Sequence, residues 1–63
     1  YKKFGLSSRE IEIADLLLKN QTNKQIAKEL FIATSTVATH IQHIYEKFGV
    51  KSRSEWILAV MSL

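Results

Sequence analysis

The sequence predicts an all-α fold, a compact four-helix domain containing a helix-turn-helix. Three observations predict it. Proline is absent and glycine occurs only at Gly5 and Gly49, a composition that favours helices over strands. The pairs Ser7–Glu10, Thr22–Gln25 and Ser52–Glu55 each stand before an apolar periodic run, the signature of a capping box. The segment from Thr22 to Gly49 reads as a short helix, a tight connection and a longer helix whose apolar residues share one narrow face.

The first helix starts at the Ser7–Glu10 box, with Leu6 and Ile11 spaced for a hydrophobic staple across it. Ile13, Ala14 and Leu17 form its inward stripe, widened by Ile11, Leu16 and Leu18. Asn20 can adopt the left-handed conformation that closes it. The second helix starts at Thr22 or Asn23 and turns Ile26, Ala27 and Leu30 inward, Ala27 being small enough to let another helix approach closely. Phe31 and Ile32 end it and begin the connection.

The third helix runs from about Thr34 to Phe48. Val37, Ile41, Ile44 and Phe48 fall at i, i+4, i+7 and i+11 on one face, and Gly49 terminates the helix. Its start is weak. The Ile32–Val37 spacing suits a staple around position 33, but Ala33 has no side-chain acceptor, so Thr34 or Ser35 is expected to cap instead. The fourth helix begins at Ser52 and continues through Trp56, Ile57, Leu58, Ala59, Val60 and Met61, apolar on almost every side. One face can pack on the first three helices. The remainder would stay wet in a monomer, so Trp56, Ile57, Val60 and Met61 are expected at a dimer interface; the plainer reading is that Trp56 covers the edge of the core.

Sixty-three residues make one domain, 1–63. The first residue is Tyr1, and the chain reads as a fragment of a longer protein. Without cysteine, neither a disulfide framework nor a thiolate metal site can form, and the composition fits a reducing cytoplasm, where the chain is expected to work. No apolar run approaches a membrane span and no signal peptide is visible. A net charge of +3 and a pI near 9.5 suit a polyanionic partner without identifying one.

The outward face of the third helix narrows the choice. At about 100° per residue, the side opposite Val37 and Ile41 holds Ser35, Thr39, Gln42 and Glu46, flanked by Ala38 and His43. A small basic domain that presents a helix with such a face is expected to insert it into the major groove of double-stranded DNA. Ser35, Ala38, Thr39 and Gln42, in its N-terminal half, are the candidate base contacts. Gln can bridge N6 and N7 of adenine, and Thr and Ala methyls can touch the thymine methyl. No Arg or Lys lies on the face, so direct readout is expected to favour A·T pairs. Lys24, Thr36, His43, Lys51 and Arg53 are the candidate phosphate contacts around the rim. His40 and His43 are three residues apart, but no carboxylate or thiol completes a metal set, so neither metal nor cofactor is expected.

Together these elements resemble the C-terminal DNA-binding domain of LuxR-type regulators, also called the FixJ or NarL family. The resemblance runs from Leu6 to about Leu63. It rests on Leu6-x-x-Arg9-Glu10-x-Glu12-Ile13, Asn23-Lys24-Gln25-Ile26-Ala27, Leu30-Phe31-Ile32, Thr36-Val37-x-Thr39-His40 and the stretch from Phe48 to Glu55. It implies a four-helix domain in which the middle two helices form the helix-turn-helix. It also implies dimeric binding to promoter operators, with the fourth helix at the dimer contact and control by an N-terminal receiver or ligand-binding module. Positions 38, 39 and 42 correspond to the family's usual base contacts. Ala38 stands where the family often has Lys, Ala33 where it often has a capping Ser, and Glu46 where it frequently has a basic residue.

Three function classes compete. The leading one is a transcription regulator domain bound as a homodimer to DNA, with activation by contact with RNA polymerase or repression by occlusion. The second is a protein-interaction module that keeps the fold without binding DNA, suggested by the uncharged face and by Glu46. The third, an enzyme, lacks a nucleophile–base–orienter set and a glycine-rich phosphate loop. No small-molecule ligand is expected for this domain.

Overall fold

Ser7 and Glu10 close the start of the first helix on each other. The Glu10 amide donates to Ser7 Oγ at 3.2 Å, and the Ser7 amide donates to Glu10 Oε1 at 2.9 Å. From this box the computed structural model, which describes residues 4–63, builds α1 (Ser8–Leu18), α2 (Asn23–Leu30), α3 (Thr34–Phe48) and α4 (Arg53–Met61). The described residues contain no strand. The second box forms as well, with Thr22 Oγ1 accepting from the Gln25 amide at 3.1 Å and Gln25 Oε1 accepting from the Thr22 amide at 2.8 Å. At α4 only half the motif is made. Ser52 Oγ accepts from the Glu55 amide, and the Glu55 side chain does not return the bond. The N-cap of α3 is Ala33, with no side-chain bond to the first turn. Thr34 and Ser35, expected to cap, are helical instead.

Three helices end the same way. Asn20, Phe31 and Gly49 take left-handed φ values of 63°, 58° and 71°. The amide after each reaches back five residues: Gln21 to Leu16 O, Ile32 to Ala27 O and Val50 to Tyr45 O. Glycine enters that conformation freely and asparagine readily, but a phenylalanine there is strained. Phe31 is also 93% exposed, so no packing of its ring offsets the cost.

Helix α3 packs against α1, α2 and α4. The core draws Ile13, Ala14, Leu16 and Leu17 from α1, Ile26 and Ala27 from α2, Val37, Ile41 and Ile44 from α3, and Trp56 from α4. Leu30 and Phe48 pack at its edge. Phe48 stacks on Phe4 at 4.0 Å and meets Trp56 edge-on at 5.9 Å, an arrangement that ring quadrupoles favour. Two side chains depart from expectation. Leu18, expected to widen the α1 stripe, is 43% exposed. Trp56, expected at a dimer surface, is fully buried, because the largest apolar side chain of α4 gains most from the core.

Candidate nucleic-acid interface

Burial of Val37, Ile41 and Ile44 fixes the rotation of α3. Its opposite side is therefore solvent-facing, and Ser35, Ala38, Thr39, Gln42 and Glu46 are all exposed. Thr34, Thr36 and His43 extend the same exposed surface, and His40 is half-buried at its edge. Among the described residues one side-chain hydrogen bond lies on this face: Thr39 Oγ1 donates to Ser35 O, one turn earlier, at 3.1 Å. The carboxamide of Gln42 has no partner among the described residues and keeps both donor and acceptor available.

Two basic side chains hold the scaffold behind this face. Lys47 Nζ, near the end of α3, donates to Glu10 Oε1 at 2.7 Å and to Gly5 O at 2.9 Å. The Lys47 ammonium, aided by the Ser7 amide, holds the Glu10 carboxyl below the usual carboxylate value against the opposing effect of burial. The second clamp is Arg53. Its Nη2 donates to Leu17 O at 3.1 Å and to Gln21 O at 2.6 Å, tying the start of α4 to carbonyls at the end of α1. Carbonyls at a helix C-terminus need donors and carry partial negative charge, so a guanidinium is well matched to them. Arg53, expected at a phosphate, therefore has its Nη2 engaged inside the domain. Burial raises the nearby Tyr45 hydroxyl above its ordinary pKa, and the Arg53 charge opposes that shift.

The other rim candidates are free to act. Lys24, Thr36, His43 and Lys51 are exposed, and no described residue engages their side chains. On α4 the buried Trp56 leaves the expected surface, while Ile57 and Val60 pack half-buried against the core. Met61 is 76% exposed, and Leu58, which the sequence reading did not single out, is 65% exposed. The signal was present. Once Trp56 is set inward, a turn of about 100° per residue carries positions 58 and 61 to the far side.

The family model for bacterial regulatory proteins of the luxR family matches residues 5–60. The chain is 41% identical over 58 residues to the spore germination protein GerE of Bacillus subtilis (strain 168), covering 92% of this chain and 78% of GerE. It is 46% identical over 52 residues to the oxygen regulatory protein NreC of Staphylococcus aureus (strain JH9), covering 82% of this chain but 24% of NreC. Among solved structures, the response regulator ChrA of a heme-sensing two-component system superposes with a TM-score of 0.85 at 46% identity, over 92% of this chain and 29% of ChrA. The match over nearly all of α1 to α4, in sequence and in backbone, places this chain in the luxR family of bacterial regulatory proteins.

Proposed function

We propose that this chain is the DNA-binding domain of a transcription regulator and reads double-stranded DNA by inserting α3 into the major groove. The observation that carries the reading is the two-sided character of α3. One face is wholly buried, and the other presents small polar groups to solvent along its N-terminal half. That combination suits a helix whose second neighbour is a groove lined with base edges. Ser35, Ala38, Thr39 and Gln42 are the base-facing set. Lys24, Thr36, His43 and Lys51 are the phosphate-facing set. Luxr-family membership supports the same assignment.

The chain acts as a homodimer through the outer side of α4. Leu58 and Met61 are exposed there, with Ile57 and Val60 at the margin, and an apolar patch of this kind favours a partner surface. Two α3 helices then enter successive major grooves about 10–10.5 bp apart.

Titration of DNA at several salt concentrations tests the proposal. Lys24 and Lys51 from two protomers neutralise four phosphates, so log K falls with log salt at a slope of roughly −3.6. The exposed Glu46, which repels phosphate, favours the competing reading of a protein-interaction module. A flat salt response, or no binding to any duplex at low salt, decides for that module.

A further inference from the structure

The hydrogen bond inside the exposed face restricts what Thr39 can read. A free threonine offers a base edge a hydroxyl donor, an acceptor and a methyl group. Here the hydroxyl proton is engaged by Ser35 O at 3.1 Å, which leaves the acceptor lone pairs and the methyl. Ala38, beside it on the exposed surface, offers only a methyl. Thr39 and Ala38, the two positions at the centre of that face, therefore hold no free side-chain donor for a base. Guanine presents N7 and O6, both acceptors, to the major groove and needs donors facing it. Thymine presents O4 and a 5-methyl group, and the methyl asks only for apolar contact.

We propose that Thr39 recognises the 5-methyl group of a thymine through its own methyl, and that its hydroxyl is an internal latch holding that methyl in place. Oγ1 and the methyl share Cβ, so fixing one on the Ser35 carbonyl fixes the other. The side chain meets the base already ordered, with little rotamer freedom left to lose. Gln42, three residues on and without a side-chain partner among the described residues, sits on the same face to take the adenine edge of an A·T pair. This assignment rests on the proposed DNA-binding reading and names the chemical group that one of its positions detects.

The test uses the duplex recovered by wild-type selection from a random-sequence pool, with each thymine replaced in turn by deoxyuridine, which lacks only the methyl. Wild-type affinity falls about fourfold at one position, the loss expected for one buried methyl. Thr39→Ser keeps the hydroxyl and its latch but not the methyl; it binds the thymine duplex about fourfold more weakly and is indifferent to the replacement. Thr39→Val keeps a methyl without the oxygen and retains the dependence. The proposal is overturned if wild type ignores every replacement. It is equally overturned if Thr39→Ser keeps the dependence or if Thr39→Val loses it, the last result assigning the oxygen as the reader. Thr39 is exposed, and unchanged melting of the two variants confirms that folding is not the cause. If wild type selects no duplex, the DNA-binding reading falls and takes this one with it. If it selects a duplex and shows the salt slope but not the thymine dependence, only the role of Thr39 falls.

Discussion

Helices α1 and α3 begin in opposite ways. At α1, Ser7 and Glu10 answer each other's amides, and Lys47 reaches across from α3 to close the site further. At α3, Ala33 supplies no oxygen, and no side chain caps the first turn. Both N-cap residues have the same extended backbone, φ −73° and ψ 167° at Ser7 against φ −69° and ψ 148° at Ala33. The difference therefore lies in the side chain alone. At α1 the reciprocal hydrogen bonds lie where Lys47 of α3 holds one helix against another, whereas α3 itself is held by its buried face. The stability of α3 comes from Val37, Ile41 and Ile44 rather than from its end.

The largest expected effect falls on the core that both helices share. Trp56→Ala should cost about 3–5 kcal/mol, comparable to what a core of this size supplies, so the cooperative thermal transition should disappear. A variant that melts normally while losing self-association would return Trp56 to the surface and break the comparison. The closure of α1 is the next test. Lys47→Met keeps the aliphatic stem but strands the Glu10 carboxylate, and it should cost about 1–3 kcal/mol in urea unfolding; an unchanged midpoint would show the clamp to be idle. The pH dependence carries the same information. Because Glu10 is held below its ordinary value of 4.5, its contribution is fully present above that pH. It is lost as the pH falls through the lowered folded-state value. Wild type should therefore show an acid limb in stability that Glu10→Gln lacks. The smallest effect sharpens the comparison from the other side. Ala33→Ser adds a cap to a backbone already shaped for one, and it should gain about 1 kcal/mol, read as a raised melting temperature; no gain would mean that the open end of α3 costs nothing.

The helix boundaries were legible in the sequence because they are set by local chemistry. The Ser7 and Thr22 boxes form, Asn20 turns left-handed, and α3 spans Thr34–Phe48 as its periodicity indicates. The outward set on α3 was legible for the same reason, since one narrow apolar stripe fixes the rotation of the whole helix. What escaped depends on distance along the chain or on an ambiguous period. Arg53 meets carbonyls 32 and 36 residues away, and no local pattern separates a basic residue that binds a phosphate from one that ties a helix end. Helix α4 is apolar nearly all round, so only packing against the other helices reveals that Trp56 faces in and Leu58 faces out. The strain at Phe31 is likewise tertiary, because the chain must reverse there whatever residue occupies the position.

Trp56 is the only tryptophan in the chain. It lies fully enclosed, edge-on to Phe48, with an indole N–H that has no hydrogen-bond partner among the described residues. Its indole is thus the one tryptophan fluorophore, excited apart from the tyrosines at the red edge, shielded from solvent and set apart from the outer side of α3. Its emission should shift when the packing opens and stay nearly constant when a duplex docks on α3. Folding and DNA association can therefore be followed as separate optical signals in one cuvette, the first from Trp56 and the second from a dye carried on the DNA.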